Sequence, residues 1–101
     1  TAIAKFMSLA IKIILVGDSA GGNLVAALTN MLIMFGLRVP DGVVLVYPAL
    51  NLCDNFYTPS LLTSLTDLIL PHTFLKICLK AYLKEGVNPK DPFVSPIFAS
   101  D

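Results

Sequence analysis

The stretch from Ile11 to Val25, which reads IKIILVGDSAGGNLV, constrains the fold of this chain more than any other part of it. It begins with a short apolar run from Ile11 to Val16, which only Lys12 interrupts. Small residues around Ser19 follow at once, and a helix-length apolar segment comes next. A short apolar run bounded by turn residues is typical of a buried strand. The order therefore predicts a strand, a sharp turn with Ser19 at its apex, and a helix.

The residues around Ser19 suit such a turn, since they follow the pattern G-x-S-x-G. A serine hydroxyl is a weak nucleophile until a base removes its proton, so it must stand clear of the backbone. At the apex, the residues two before and two after the serine are pressed together, and glycines tolerate this because they lack a Cβ. The amide of Ala20 would lie at the helix N-terminus and point at an oxyanion formed beside Ser19. The residues expected to support the turn are Gly17, Asp18, Gly21 and Gly22.

The glycine-rich stretch is compatible with two other interpretations. The first is a turn without chemistry, because G-x-S-x-G often occurs by chance. The strand directly before it and the helix directly after it favour a nucleophile, since the motif counts only in that setting. The second is a phosphate-binding loop, but no lysine and serine or threonine follow the glycines, and G-x-G-x-x-G is missing.

The neighbouring segments complete a βαβ unit. Apolar residues at three- and four-residue steps predict a helix over Gly21–Phe35, and Gly36 supplies its C-terminal stop. The β-branched run Val43–Tyr47 predicts a second strand with a right-handed crossover from the first. We expect the first strand to be buried on both faces of a parallel sheet and the helix over most of its surface. Helical spacing in Thr1–Leu9 predicts a further helix ahead of the first strand.

The chain after the second strand predicts a helical excursion away from the sheet. An aromatic loop, Ala49–Pro59, precedes a short helix over Ser60–Leu65 and a longer helix over Pro71–Leu83. The segment Glu85–Asp101 is rich in proline and reads as ordered loop, in which Asp91 anchors a turn. One face of the longer helix is apolar, with Phe74, Leu75, Cys78, Leu79 and Tyr82, and the other carries Lys76, Lys80 and Lys84.

Several pieces of this sequence resemble the hormone-sensitive lipase family of esterases and lipases. They are GDSAGGNL at Gly17–Leu24, VPDG at Val39–Gly42, Tyr47-Pro48, and DPFVSP at Asp91–Pro96. The match runs from about Lys12 to Ala99, and the extended elbow is its most specific part. The resemblance implies an α/β class and a partial α/β-hydrolase fold, in which the βαβ unit carries the nucleophile elbow and the helical excursion follows.

The same resemblance implies a serine carboxylester hydrolase. Ser19 would attack the ester carbonyl and form an acyl-enzyme, from which water releases the acid. The implied substrates are acylglycerols, other neutral lipids or other carboxylic esters, and the mechanism needs no metal or organic cofactor. In this family such excursions help to wall the acyl pocket, and ordinary core packing is the alternative for each candidate. The candidates here are Leu50, Leu52, Phe56, Tyr57 and Leu61.

The sequence supplies no complete catalytic triad. Its single histidine, His72, lies in the excursion, whereas α/β-hydrolases follow the order serine, acid, histidine. We therefore prefer a partly exposed histidine at a helix start, and expect the family's acid, histidine and His-Gly-Gly loop to lie outside this sequence. Only Ser19 and the Ala20 amide are assigned, so this piece alone should be inactive. The acids left unassigned are Asp18, which should make structural hydrogen bonds, and Asp54, Asp67, Asp91 and Asp101.

Length and composition indicate one domain at most. With 101 residues, the chain is expected to be an internal fragment of a single α/β-hydrolase domain, spanning 1–101, whose other parts are missing. Hydrophobic residues make up 55% and charged residues 14% of it, against about 25% charged in ordinary soluble domains. Such a piece should expose large apolar faces. No run of about 18 uninterrupted apolar residues exists, so no transmembrane helix is predicted.

The charge and the cysteines of the sequence limit which partners and which cellular compartment are expected. The net charge is zero, which predicts no nucleic-acid partner. Cys53 and Cys78 lack metal-ligand spacing and are interpreted as buried free thiols, with a disulfide as the alternative. Free thiols predict a reducing, cytoplasmic location, with lipid-droplet association left open. Two rival functions remain open: a non-lipid esterase, amidase or peptidase on the same fold, and a binding protein that kept the fold but lost catalysis.

Overall fold

The structure, a computed structural model, describes Ala2, Lys5, Leu9 and the residues 11–53 and 71–100. Its elements in chain order are strand β1 (Ile14–Asp18), helix α1 (Ser19–Met34), strand β2 (Gly42–Val46), helix α2 (His72–Tyr82) and a 3₁₀ helix (Pro96–Phe98). Ala2, Lys5 and Leu9 are helical, in agreement with the predicted first helix. The helix predicted over Ser60–Leu65 lies outside the described residues.

Strands β1 and β2 pair in parallel, and α1 connects them. Ile14 lies opposite Gly42, and the register continues to Asp18 opposite Val46. The predicted βαβ arrangement is therefore confirmed, although β1 lies further along the chain than the apolar run suggested. It runs through the glycine of the motif to the residue before Ser19, because the turn into α1 is too tight to need a separate loop.

The expected burial of β1 on both faces is wrong for this chain. Ile14 is 64% exposed and Val16 is 66% exposed, whereas Leu15 and Gly17 on the alternate side are half-buried and buried. The cause is that α1 covers one face of the two-stranded sheet, and no described segment covers the other. The expected large exposed apolar faces are confirmed. None of the helices within the described ranges is long and apolar enough to cross a membrane.

Helix α1 is also less buried than its sequence predicts. Its buried residues are Gly22, Asn23, Ala27 and Leu32, while Leu24, Ile33 and Met34 are mostly exposed. The helix ends at Met34, and Gly36, predicted as its stop, follows two residues later with a φ of 63°, the left-handed conformation that glycine adopts readily. The Gly36 N–H donates to the Ile33 carbonyl at 3.1 Å, and the Leu37 N–H donates to the Leu32 carbonyl at 2.9 Å.

The turn before β2 is fastened to the start of β1 by Asp41. The Ile13 N–H donates to Asp41 Oδ2 at 2.7 Å, and the Asp41 N–H donates to the Ile13 carbonyl at 2.8 Å. The Arg38 guanidinium lies 3.5 Å from the same carboxylate. The bond from Ile13 has the largest effect and lowers the pKa of Asp41, while desolvation opposes it. The positive charges of Arg38 and Lys12 add smaller effects that also lower this pKa. The carboxylate thus aligns the two strands while it is ionised.

The proline-rich segment after α2 folds back onto the loop that follows β2. Asp91 anchors a turn, as predicted: its carbonyl accepts the N–H groups of Val94 and Ser95 at 2.8 and 2.7 Å, and its Oδ1 accepts the Phe93 N–H at 2.9 Å. The Ile97 N–H then donates to the Leu50 carbonyl at 3.2 Å. These bonds bring a segment distant in sequence next to the βαβ unit.

Candidate functional site

Ser19 occupies the single-residue turn between β1 and α1. Asp18, the last residue of β1, is extended, with φ −113° and ψ 147°, and Ser19 is already the first residue of α1. The φ of Ser19 is 49°, in the left-handed region that residues with a side chain rarely adopt. Such strain persists only where the surrounding structure imposes it, and it often marks functional sites. This geometry is the sharp strand–turn–helix that the sequence predicts.

Two glycines make the turn sterically possible. A Cβ on Gly17 would lie 2.5 Å from the carbonyl carbon of Gly21, closer still to its oxygen, and 2.8 Å from the nitrogen of Gly22. A Cβ on Gly22 would lie 2.7 Å from Cβ of Pro48 and 3.2 Å from the oxygen of Gly17. The contacts of 2.5 Å at Gly17 and 2.7 Å at Gly22 are far shorter than ordinary van der Waals contacts. Neither position therefore accepts a side chain without movement of its surroundings.

The steric explanation given for Gly21 is wrong. A Cβ there would meet only Asp18 Oδ1, at 3.7 Å, which is an ordinary contact. The backbone of Gly21 is crowded against Gly17, but the direction in which its own side chain would point is open. The sequence motif suggested that Gly21 must lack a side chain. The structure places that requirement on Gly22 instead, because Gly22 faces Pro48, which follows β2.

The backbone of the serine is held by the loop after β2. The Ala49 N–H donates to the Ser19 carbonyl at 3.1 Å. Ala49 is itself held by Asn23, whose Nδ2 donates to the Ala49 carbonyl at 2.6 Å and to the Val94 carbonyl at 2.9 Å. The Asn23 side chain is buried, with 3% of the residue exposed. Sequence analysis gave Asn23 no role of its own, although one polar residue near the start of an apolar helix was a usable signal.

A second buried polar group reinforces the same loop. Ser95 is completely buried, and its Oγ accepts the Leu52 N–H at 2.8 Å. A buried polar group is costly unless it is hydrogen-bonded, and here the bond joins the proline-rich segment to the loop after β2. Sequence analysis noted Ser95 only as part of a motif.

A cavity of about 410 Å³ opens beside Ser19. Ser19 and Ala20 line it from the turn, and Ala20 lies in the first helical turn, where backbone N–H groups lack intrahelical acceptors. Of the predicted wall residues, Leu52 lines the cavity and Leu50 does not, while Phe56, Tyr57 and Leu61 lie outside the described residues. The other lining residues are Asn23, Leu24, Ala49, Phe74, Leu75, Cys78, Leu79 and Tyr82.

Helix α2 forms the apolar wall of this cavity. All five residues of its predicted apolar face line it, and Lys76 and Lys80 on the other face are exposed. The sequence predicted the apolar face of this helix but not that it lines a cavity beside Ser19. The expectation of two buried thiols is wrong, because Cys78 is exposed along the open cavity and Cys53 is only half-buried. Both cysteines are free in this structure.

The titratable groups of the described residues do not complete a triad. His72 is the first residue of α2 and does not line the cavity, and its buried Nδ1 has no hydrogen-bond partner within the described segments. Asp18 was expected to make structural hydrogen bonds, but its side chain makes none to the described residues. It is exposed and does not cap α1. Asp91 is engaged in its turn. Asp54, Asp67 and Asp101 lie outside the described residues.

Comparison with known proteins points to one fold family. A family model described as the alpha/beta hydrolase fold matches residues 4–101. The sequence is 42% identical over 84 residues to a hormone-sensitive lipase of Mus musculus, covering 83% of this chain and 11% of that protein. It is 37% identical over 87 residues to an esterase of Acinetobacter venetianus, covering 85% of this chain and 28% of the esterase. The chain therefore spans a minor part of the length of the relatives it matches.

Solved structures give the same result. A serine-to-alanine mutant of LAE6, an alpha/beta hydrolase enzyme from the metagenome of Lake Arreo, Spain, superposes with a TM-score of 0.78 at 25% identity, covering 87% of this chain and 27% of that one. The iron-lacking apo form of ESTFA superposes with a TM-score of 0.72 at 26% identity, covering 99% of this chain and 31% of that one. The parallel strand pair with its intervening helix is part of the shared fold.

Proposed function

Because this chain belongs to the alpha/beta hydrolase family, we propose that it is the nucleophile-bearing part of a serine carboxylester hydrolase domain. The observation that carries the proposal is the conformation of Ser19, a serine with a φ of 49° at a one-residue turn between strand and helix, facing an open cavity. Ser19 is exposed at this apex, as a nucleophile must be.

In the proposed reaction, Ser19 Oγ attacks the ester carbonyl as a base takes its proton. The carbonyl oxygen becomes an oxyanion, to which the Ala20 N–H donates at the positive end of α1. The bond from carbon to the alcohol oxygen then breaks, the alcohol leaves with the proton, and an acyl-Ser19 remains. Water hydrolyses this ester, releases the acid and restores the hydroxyl. The base and the acid that orients it are supplied from outside this sequence.

The cavity supports an apolar acyl group as the part of the substrate bound beside Ser19. Its walls are mostly aliphatic and aromatic, including Leu24, Leu52, Phe74 and Leu79. Apolar walls favour binding of hydrocarbon by the area they remove from water. We therefore propose esters of neutral lipids, such as acylglycerols, as the substrate class. The free thiols of Cys53 and Cys78 support a reducing, cytoplasmic location.

Labelling by a fluorophosphonate probe tests this function in the full-length protein that contains this sequence. We expect covalent labelling and hydrolysis of a short p-nitrophenyl ester, both lost in Ser19→Ala, because the probe forms its bond with an activated serine. The matched control is Ser100→Ala at an exposed serine, which should retain both. Folded wild-type protein that neither reacts with the probe nor hydrolyses the ester would favour a binding protein on the same fold.

A substrate panel separates the proposed lipid esterase from its enzymatic rivals. Esters of increasing acyl length and the matching amides should be compared by kcat/KM. A preference for longer acyl chains fits the apolar cavity, whereas preference for amides would support an amidase or peptidase. The 101-residue chain should not hydrolyse these esters when purified alone, since none of its described residues brings a base to Ser19.

A further inference from the structure

We propose that Asn23 is a positioning residue for Ser19, acting through the backbone of Ala49; this inference rests on the proposed function. Asn23 is the fifth residue of α1 and is buried, and its side-chain nitrogen donates to the carbonyls of Ala49 and Val94 at 2.6 and 2.9 Å. Both partners are carbonyl oxygens, which can only accept hydrogen bonds. The amide end of the side chain must therefore face them.

The chain of contacts continues to the nucleophile itself. The Ala49 carbonyl accepts from Asn23, and the N–H of the same residue, on the other side of its Cα, donates to the Ser19 carbonyl at 3.1 Å. Ser19 is held in a strained left-handed conformation, and such a conformation persists only while neighbouring groups restrain it. Asn23 thus fixes the loop whose amide restrains the strained residue, without touching the reacting hydroxyl.

The second carbonyl that accepts from Asn23, that of Val94, extends this restraint to the proline-rich segment. Val94 is 71 residues from Asn23 in sequence, and it lies in the turn that Asp91 anchors. The adjacent Ser95 Oγ accepts the Leu52 N–H, so the proline-rich segment holds the loop after β2 at two places. Asn23 is the point at which α1, this loop and the proline-rich segment meet. The role of the proline-rich segment is therefore to support the serine turn.

The test compares Asn23→Asp with Asn30→Asp in the full-length protein. Asn23→Asp keeps the shape of the side chain but replaces its donor with an oxygen facing two carbonyl oxygens. Asn30 lies two turns further along α1 and hydrogen-bonds to none of the described residues. Fluorophosphonate titration counts the reactive serines in each preparation, and kcat on a short p-nitrophenyl ester is expressed per titrated site. A purely structural role would change the number of sites but leave kcat per site intact.

We expect kcat per titrated site to fall about tenfold to a hundredfold in Asn23→Asp, the range that misplacement of a reacting group produces. KM should stay within about threefold of the wild-type value, because the lost interaction positions the serine rather than the ester. Asn30→Asp should match the wild type in both constants. An unchanged kcat per site in Asn23→Asp, with a labelled wild type, overturns this inference alone.

Two further outcomes are decisive. Should Asn23→Asp fail to fold, Ser95→Ala carries the test, since it frees the Leu52 end of the same loop without altering α1. A lower kcat per site in Ser95→Ala then supports positioning through the loop, and an unchanged value overturns it. A wild-type protein that is not labelled at Ser19 overturns the proposed function and this inference together.

Discussion

Substitution of Gly17 by alanine should damage this protein severely, whereas the same change at Gly21 should not. The new Cβ at Gly17 would lie 2.5 Å from the Gly21 carbonyl carbon, about 0.9 Å inside a normal contact of about 3.4 Å. Every atom it meets belongs to the backbone of α1, so no side chain can rotate away. Overpacking usually costs about 1–3 kcal/mol, and a collision with backbone alone should reach at least the upper value.

The Gly21→Ala variant is the matched control, with an effect of opposite sign. Its Cβ would meet only Asp18 Oδ1 at 3.7 Å, and Gly21 lies within α1. Replacing glycine by alanine inside a helix lowers the entropy of the unfolded chain and stabilises by about 0.4–1 kcal/mol where the backbone is compatible.

Urea unfolding of the full-length variants measures both effects as shifts of the midpoint at constant slope. The midpoint should fall for Gly17→Ala and stay level or rise for Gly21→Ala. A Gly17→Ala protein as stable as the wild type would refute the close approach of β1 and α1. Marked destabilisation by Gly21→Ala would show that the space beside Asp18 is not open.

Two further predictions concern Asp41 in the turn before β2 and the cavity beside Ser19. Asp41 has a lowered pKa, so its stabilising contribution should be fully present above the unfolded value of about 3.9 and be lost as the pH falls through the lower folded value. Asp41→Asn should therefore flatten the acid side of the stability profile measured by urea midpoints, and a profile identical to the wild type would contradict this. Leu79→Trp should fill part of the cavity and lower kcat/KM for long acyl esters at least about tenfold more than for short ones, given the energy of a few buried methylenes. Exposed Lys80→Ala is its control, and equal losses for long and short esters would place the acyl chain elsewhere.

The sequence by itself determined the elements around the nucleophile. The strand, the turn at Ser19 and the helix were predictable because the crowding that demands Gly17 arises between residues four apart in the chain. The stop at Gly36 is equally local, since the hydrogen bonds that end α1 join neighbouring turns. The apolar face of α2 followed from helical periodicity, which fixes the faces of a helix before any packing is known.

Only the tertiary structure decided which distant groups meet. Gly22 is crowded because Pro48 lies against it, and Asn23 is satisfied by carbonyls from two remote segments. Asp41 aligns the strands through Ile13, and the α2 face became a cavity wall only when it was placed beside Ser19. Burial of β1 likewise depended on what covers each face of the sheet. A sequence pattern states which side of an element avoids water, but hydrogen-bond partners and steric limits depend on distances between segments that only the folded chain brings together.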